Sequence, residues 1–312
     1  MKIDINISEV GPRDGLQSIS SIMPTAAKKR WIQAQFESGT SEIEVGSFVN
    51  PKLLPQLADT AELTRFAASL DGLTVAVLAP NLHGVRDAVK NEADKISIPF
   101  SMSESHSLEN VRKSHAQMLQ EIQRCVDFVK ELPETQRPLL EVGLSTAFGC
   151  TIEGKVPEKT VVSMAEKVIT MGVDEVGLSD TTGVGNPQHL KRLTQAIWQN
   201  CGRDKLHGAH LHNTRGQGLA NALMAVELGM TTLDSSLGGL GGCPWAPGAS
   251  GNIVTEDLVF LLESMGLNTG IDIHALIEVR ALVQNALPNE TLFGFTPAAG
   301  LPLGWPYKTA LV

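Results

Sequence analysis

The sequence lacks the features that mark membrane, secreted and nucleic-acid-binding proteins. No apolar run approaches the roughly 20 residues that a membrane-spanning helix needs. The amino terminus alternates polar and apolar residues as a strand does, so we expect no signal peptide. The formal net charge of −9 argues against nucleic acid as a partner. We therefore expect neither a membrane nor a nucleic-acid partner.

Cysteine is also scarce, and its spacing does not suggest a disulfide framework. The four cysteines are scattered along the chain, at Cys125, Cys150, Cys201 and Cys243. This usage is typical of a reducing compartment, so we expect a cytoplasmic location.

Short β-rich runs alternate with amphipathic segments along the whole chain of 312 residues. The predicted strands cover residues 4–10, 41–46, 73–79, 94–98, 139–144, 174–178, 206–211 and 231–235. The predicted helices follow them at 24–38, 56–70, 82–92, 106–131, 157–171, 187–200, 217–229 and 252–265. This alternation predicts an α/β fold, the (β/α)₈ TIM barrel. A doubly wound open sheet is the alternative, but no Gly-x-Gly-x-x-Gly pattern follows the first strand.

No linker, low-complexity tract or internal repeat divides the chain. We expect a catalytic barrel over residues 1–267 and a C-terminal helical extension with a tail over 268–312, both in the same structural unit. The extension includes one more helix at 273–286, which carries several apolar residues. This helix would either pack against the barrel or form the interface of a homodimer.

Two histidines lie at the end of the seventh predicted strand. His210 and His212 are separated only by Leu211, and side chains two residues apart on a strand share one face, about 6–7 Å from each other. Two imidazoles in this arrangement can reach a single metal ion. The alternative is that ordinary hydrogen bonds hold both rings in the core or at the surface. The position favours a metal site, because active sites of α/β barrels lie at the carboxyl ends of the strands.

Polar residues also lie in or just after four other predicted strands. They are Arg13 and Asp14 after the first strand, Glu44 in the second, Asp180 after the sixth, and Cys243 and Asn252 after the eighth. Some have simpler explanations: Arg13 and Asp14 could form a turn ion pair, and Asp180 could cap the next helix. An active site is favoured because so many strand ends, all meeting at one rim, carry such residues.

The predicted metal site has mixed ligands. It comprises the carboxylate of Asp14, the imidazoles of His210 and His212, and the amide oxygen of Asn252. Oxygen and imidazole donors with open positions suit Mg²⁺, Mn²⁺ or Co²⁺ better than structural zinc. The open positions would let a substrate chelate the ion through hydroxyl and carboxylate oxygens.

Together, these motifs resemble the 3-hydroxy-3-methylglutaryl-CoA lyase family of metal-dependent TIM-barrel enzymes. The first matching motif is Glu-Val-Gly-Pro-Arg-Asp-Gly-Leu-Gln at 9–17, and the longest covers residues 239–257, from Gly-Leu-Gly-Gly-Cys-Pro to Asn-Ile-Val-Thr-Glu-Asp. Shorter matches lie between them, at 47–52, 103–110, 149–154, 179–185 and 210–214. The resemblance extends from residue 3 to about residue 290.

The resemblance implies a carbon–carbon lyase of leucine degradation. Such an enzyme cleaves 3-hydroxy-3-methylglutaryl-CoA, or a close 3-hydroxyacyl-CoA analogue, to acetyl-CoA and acetoacetate or another 3-oxoacid. It implies Mg²⁺ or Mn²⁺ on the four ligands, a CoA thioester as partner, and the catalytic residues Arg13, Asp14, His210, Cys243 and Glu256. The implied substrate-binding residues are Arg13, Gln17, Glu44 and Asp180. Arg13 would stabilise the enolate oxygen, and Cys243, on a flexible glycine loop, would protonate the enolate carbon.

Three places depart from the family pattern. Asn213 stands where the family usually has an aspartate behind the histidines, which would remove one negative charge there. Residues 18–20 are Ser-Ile-Ser where Asn-Glu-Lys is common, and Gly143 stands where an aromatic hydroxyl is common. The loss of the lysine and of the aromatic hydroxyl would admit a larger or differently branched acyl group.

Two other functions remain open from the sequence. An aldolase or Claisen-type synthase of the same superfamily would act on a 2-oxoacid, but it would not need the acid that Cys243 supplies. A non-catalytic metal-binding barrel would leave Arg13, Cys243 and Glu256 without a role.

Overall fold

The computed structural model describes residues 2–241 and 251–305, where eight parallel strands pair in chain order and close into a barrel. The strands are β1 Asn6–Glu9, β2 Glu42–Ser47, β3 Thr74–Leu78, β4 Lys95–Ser101, β5 Leu139–Ser145, β6 Glu175–Ser179, β7 Gly208–His210 and β8 Thr232–Ser235. Each strand overlaps one predicted run, and β1 pairs with β8 to close the ring. The predicted TIM barrel is confirmed.

Alternation along the strands separates two kinds of side chain. In β2, Ile43 and Val45 are fully buried, whereas Glu42 and Glu44 line the barrel interior. In β5, Val142 is buried between sheet and helices, and Gly143 lines the interior. Because successive residues of a strand point to opposite faces, the β-branched residues form the layer beneath the helices. The polar and small residues are left facing inward.

The helices follow the strands around the outside of the barrel. They are α1 Thr25–Glu37, α2 Thr60–Ala68, α3 Leu82–Lys90, α4 Glu104–Asn110, α5 His115–Glu131, α6 Glu158–Met171, α7 Pro187–Cys201, α8 Gly218–Leu228, α9 Thr255–Ser264, α10 Ile273–Ala286 and α11 Phe295–Ala299. None of these helices is long and apolar enough to cross a membrane.

The long helix predicted over 106–131 is in fact two helices. Arg112 has a φ of 57°, which ends α4 because a right-handed helix cannot continue through the left-handed region. Ser114 then begins α5: its side chain accepts a bond from the Gln117 amide, and the Gln117 side chain bonds back to the Ser114 amide. This reciprocal capping box stabilises a new helix start.

The eighth barrel helix starts later than the sequence predicts. The helix expected from about Asn252 begins at Thr255, so Glu256 lies in its first turn. The preceding residues pair instead with the segment after β7: the Asn213 amide donates to the Gly251 carbonyl at 2.8 Å. Asn252 itself forms a bridge with His212. Extended pairing therefore holds Asn252 at the barrel rim.

Helix α10 has the bounds that the sequence predicts, and it packs against α1 and α9. Its apolar residues Ile273, Leu276, Val279 and Val283 are buried within the chain. This packing accounts for most of the apolar surface that suggested a dimer interface. A homodimer stays a prediction, and this helix lends it little support.

Candidate active site

A cavity of about 670 Å³ occupies the barrel and opens at the carboxyl ends of the strands. Arg13, Asp14 and Gln17 line it from the segment after β1, and His210 and His212 line it from the end of β7 and the segment that follows. These residues are far apart in sequence. The barrel brings them to one rim because all the strands are parallel.

Asp14, His210 and His212 form a cluster able to hold a metal ion. One ligand atom from each lies within 4.8 Å of the others. The Asp14 Oδ2 lies 3.8 Å from His210 Nε2, and the two Nε2 atoms of the histidines are 3.1 Å apart. All three residues lie at the same rim of the barrel, as expected for ligands that follow the carboxyl ends of parallel strands.

A tight turn places Asp14 in this cluster. The carbonyl of Val10 accepts bonds from the amides of Arg13 and Asp14 at 3.1 and 2.7 Å, within a one-turn π-helix, Gly11–Gly15. Gly11 is required here, because a Cβ would lie 2.5 Å from a Glu9 carboxylate oxygen and 2.7 Å from the Trp31 ring. The turn therefore explains both the glycine and the Arg-Asp pair of the first motif.

Asn252 lies beside Asp14, at a position from which its amide oxygen could be the predicted fourth ligand. Its Nδ2 donates to Asp14 Oδ2 at 2.7 Å, and its buried Oδ1 has no hydrogen-bond partner among the described residues. Rotating the amide by 180° exchanges the two atoms and turns the oxygen toward the Asp14 carboxylate. With the amide turned in this way, Asn252 would add an oxygen to the carboxylate and the two imidazoles that lie together, and this donor set suits a hard divalent cation.

The guanidinium of Arg13 lies beside the cluster and is nearly buried. It binds Glu44 through Nε and Asp14 through Nη1, both at 2.5 Å. Burial raises the pKa of Glu44 to about 7, although Arg13 opposes this shift. Burial also raises the pKa of Asp14, but the positive charges of Arg13 and the two histidines outweigh it and hold that pKa below its ordinary value. Asp14 is thus kept as a carboxylate.

Asp234 on β8 is a site residue that the sequence reasoning missed. Its Oδ2 accepts a hydrogen bond from His210 Nδ1 at 3.0 Å. Burial lowers the pKa of His210, but this bond and the charge of Asp14 outweigh burial and raise it. The strand alternation could have identified this residue. Asp234 lies two residues after Thr232 on β8, so both side chains point to the interior of the barrel.

Glu9 is the first residue of the motif at 9–17, and its structural role was not predicted from the sequence. Its fully buried carboxylate accepts bonds from the Gly11 and Leu237 amides at 2.9 and 2.8 Å, and from the Thr255 hydroxyl at 2.8 Å. It therefore joins the turn that carries Asp14 to the segment after β8 and to the start of α9. Burial raises the pKa of Glu9 to about 8.

Asp180 shapes a loop and does not line the cavity. Both of its carboxylate oxygens accept bonds from amides of the loop that follows it, each at 3.0 Å. Burial raises its pKa to about 6. The alternative that Asp180 caps the next helix is wrong, since Asn186 is the N-cap of α7. Its neighbours Ser179 and Thr181 line the cavity.

Glu256 is also held away from the cavity lining. It is fully buried in the first turn of α9, where it accepts bonds from the Gly238 amide and from Arg280 Nη1, both at 2.9 Å. Burial raises its pKa. These contacts fix the position of the segment after β8. Cys243, the predicted acid on that segment, lies outside the described residues.

Within the part of the chain that the structure describes, the Asn213 side chain bonds to the start of a helix and not to the histidines. Its side-chain oxygen accepts a bond from the Gly218 amide at 2.9 Å, at the start of α8. The negative charge behind His210 comes instead from Asp234. The departure at position 213 therefore alters the support of α8 more directly than it alters the metal cluster.

Comparison with known proteins gives concordant results. The HMGL-like family matches residues 4–283. The mitochondrial hydroxymethylglutaryl-CoA lyase of Macaca fascicularis is 40% identical over 92% of this chain and 87% of its own. The cytoplasmic 3-hydroxy-3-methylglutaryl-CoA lyase of Rattus norvegicus is 37% identical, covering 92% of this chain and 82% of its own.

A solved structure shows the same similarity in three dimensions. It is an HMG-CoA lyase from Acinetobacter baumannii in complex with coenzyme A and 3-methylmalate. The TM-score is 0.88 at 37% identity, with 96% of each chain covered. The likeness extends over the barrel and the helices that follow it.

Proposed function

We propose that this chain, which belongs to the HMGL-like family, is a divalent-metal-dependent carbon–carbon lyase. Its substrate is 3-hydroxy-3-methylglutaryl-CoA or a close 3-hydroxyacyl-CoA analogue, and its products are acetyl-CoA and acetoacetate or another 3-oxoacid. One observation carries this proposal: Asp14, His210 and His212 converge beside the Arg13 guanidinium at the barrel rim.

Asp14, His210, His212 and Asn252 would hold the cation, which we propose is Mg²⁺ or Mn²⁺. When bound, such a cation orients a chelating substrate and eases loss of a hydroxyl proton. The protein's own residues support the ligands. Asp234 fixes the His210 ring, and the 9–15 turn fixes Asp14.

The cleavage breaks one carbon–carbon bond and requires two proton transfers, one from the C3 hydroxyl and one to C2. The C3 hydroxyl loses its proton, C3 becomes a carbonyl, and the electrons of the C2–C3 bond pass to the thioester enolate. Glu44 lines the cavity beside Arg13 without belonging to the four ligands, so it is the base we propose for that proton. Arg13 would stabilise the enolate oxygen, and Cys243 would return a proton to C2 to give acetyl-CoA.

The mouth of the cavity suits a CoA thioester. Arg112 and Lys113, between α4 and α5, line it together with His106 and Asn110. Two cations and two hydrogen-bonding side chains there would attract the phosphates of the CoA moiety. A cytoplasmic location stays a prediction, since relatives are described as mitochondrial and as cytoplasmic.

Release of acetyl-CoA tests the proposed function. Purified protein should cleave 3-hydroxyacyl-CoA esters in the presence of Mg²⁺ or Mn²⁺, and EDTA should abolish the activity reversibly. His212→Ala should lose both metal binding, measured by titration calorimetry, and turnover. Condensation of acetyl-CoA with a 2-oxoacid, without cleavage of any ester, would favour the synthase instead.

A further inference from the structure

The barrel interior below the metal cluster is hollow. Interiors of TIM barrels are usually filled by bulky branched side chains. Here the inward positions in the middle of β4, β5 and β6 are Ser97, Gly143 and Gly177, and all three line the cavity. Gly143 and Gly177 are paired across β5 and β6. Two neighbouring strands therefore present no side chain at the same level.

This space, which we term the inner chamber, is deep. Ser179 on β6 pairs with His210, and Glu175 lies four residues earlier on the same strand. At the rise of a β-strand, four residues span about 13 Å. A Cβ added at Gly143 would meet only the Ser97 hydroxyl, at 3.4 Å. A Cβ added at Gly177 would lie 3.1 Å from a Glu141 carboxylate oxygen, so the floor of the chamber reaches this level. Gly177 is two residues below Ser179, which leaves an open depth of about 6–7 Å beneath the metal cluster. The chamber thus has room for a group of several atoms.

The floor of the inner chamber is a charged cluster. Lys95 Nζ lies 2.8 Å from Glu141, 2.9 Å from Glu175 and 3.8 Å from Glu42. Three acidic side chains surround one ammonium group. The cluster therefore has more carboxyl groups than cations, and more hydrogen-bond acceptors than the ammonium group can satisfy. Burial raises the pKa of Glu42 and Glu175, although Lys95 opposes both shifts. The floor is therefore poorly suited to another anion.

The walls of the inner chamber are polar as well. Inward hydroxyls come from Ser8, Ser97, Ser145 and Thr232, all of which line the cavity. Ser145 lies at the upper edge of the chamber, level with Ser179, and its buried hydroxyl has no hydrogen-bond partner among the described residues. A purely hydrocarbon group would strip water from these hydroxyls and carboxylates without replacing its bonds, which costs free energy.

We propose that the preferred substrate carries, in place of the methyl group on C3, a branch several atoms long that bears hydroxyl groups and extends into the inner chamber. This inference rests on the proposed lyase function. With only a methyl group on C3 of the substrate, the inner chamber would be filled by water. A carboxylate branch would meet the acidic floor, whereas hydroxyl groups can donate hydrogen bonds to Glu141 and its neighbours.

A series of CoA esters tests the branch. Three esters keep the 3-hydroxyglutaryl skeleton and differ only on C3: methyl, a five-carbon hydrocarbon chain, and a five-carbon chain with hydroxyl groups. The hydroxylated ester should exceed both others in kcat/KM by about tenfold or more, because one methylene in an apolar pocket is worth about 10- to 200-fold and a hydroxyl group that satisfies buried polar groups is worth more. Preference for the methyl or the hydrocarbon ester would overturn the proposal.

A graded set of substitutions locates the branch. Gly143→Leu should fill the inner chamber and lower kcat/KM for the hydroxylated ester at least about tenfold more than it lowers kcat/KM for the methyl ester. Gly143→Ala should give an intermediate effect. Ala281→Leu adds similar bulk on the exposed face of α10 and should change neither ester. Far-ultraviolet circular dichroism shows whether each variant is folded, and metal titration shows whether it binds the metal ion.

The outcomes separate this inference from the proposed function. If the methyl ester is cleaved best and Gly143→Leu affects all esters equally, the lyase function stands and the inner chamber has no role in selecting substrate. If no ester yields acetyl-CoA with either metal, the proposed function itself fails. If the hydroxylated ester is preferred and Gly143→Leu removes that preference, both stand.

Discussion

The Nδ1 of His210 donates a hydrogen bond to the Oδ2 of Asp234 at 3.0 Å, across the paired strands β7 and β8. The bond fixes the imidazole with its Nε2 toward Asp14 and His212. A carboxylate behind a metal-binding histidine sets the tautomer and raises the basicity of the ligating nitrogen. Asp234 is therefore a positioning residue for the proposed metal site.

Replacement of Asp234 should weaken metal binding. Asp234→Asn keeps the shape of the side chain but removes its charge, and we expect metal affinity to fall by about 10- to 100-fold. Titration calorimetry with Mn²⁺ measures the affinity directly, without dependence on turnover. Asp71→Asn, an exposed change in the turn before β3, is the matched control and should bind as the wild type does. Unchanged affinity in Asp234→Asn would exclude the role given to Asp234.

The buried carboxyl of Glu9 should make stability depend on pH. Burial raises its pKa from 4.5 to about 8 in the folded protein. Between these values the folded state keeps a proton that the unfolded state has released, so this group's stabilising contribution is complete below about pH 4.5 and is lost as pH rises toward 8. Each pH unit in that window removes up to about 1.4 kcal/mol.

Comparison with Glu9→Gln isolates that contribution. Glutamine cannot titrate, yet it can accept from the Gly11 and Leu237 amides and donate to Thr255. Urea unfolding at pH 5, 6, 7 and 8 should show the wild type losing stability relative to Glu9→Gln as pH rises. Glu227→Gln, on the exposed face of α8, should follow the wild type. Parallel curves for the wild type and Glu9→Gln would refute the raised pKa.

The barrel was predictable because strand and helix patterns are local. Ile43, Val45, Val75 and Val77 lie in short runs that sequence periodicity identifies, and α10 has its predicted bounds. The start of α9 was not predictable in this way. Residue 252 pairs with residue 212, a contact between distant segments that no local pattern encodes. The break at Arg112 was in principle readable, since Ser114 and Gln117 form a capping-box pattern.

For the site, residue type and position after a strand identified Asp14, His210, His212 and Arg13, which the fold brings together. They did not reveal which way a carboxylate points. Asp180 and Glu256 are both buried and bound to loop amides, so they support loops outside the cavity lining. The direction in which a side chain points depends on how neighbouring strands and loops pack, and the sequence alone does not give this packing. Asp234 was missed for the same reason.

The ion pair between Glu256 and Arg280 should be important for stability. Arg280→Met leaves the fully buried Glu256 carboxylate without its cation, and breaking a buried pair in this way costs about 3–5 kcal/mol. Urea unfolding measures this loss. The double variant Glu256→Gln/Arg280→Met removes both charges and should recover the part of the loss that comes from the unpaired charge, because the glutamine oxygen still accepts from the Gly238 amide. The bonds from Arg280 to the Leu292 and Phe293 carbonyls are lost in both variants. A cost below about 1 kcal/mol in the single variant would show that the pair contributes little.

Cys243→Ser should lose most turnover while keeping the fold and the metal. Serine is far less acidic than cysteine and cannot readily give a proton to an enolate carbon, and general acid catalysis is typically worth about 10²–10⁴-fold. We expect kcat to fall by that factor with KM and metal content little changed, measured by steady-state kinetics and metal titration. Cys201→Ser, at the end of α7 and outside the cavity lining, is the matched control and should retain kcat. Near-wild-type kcat in Cys243→Ser would assign the proton to a water molecule or a histidine, whereas loss of metal from a folded variant would identify a thiolate ligand and therefore a softer metal than Mg²⁺ or Mn²⁺.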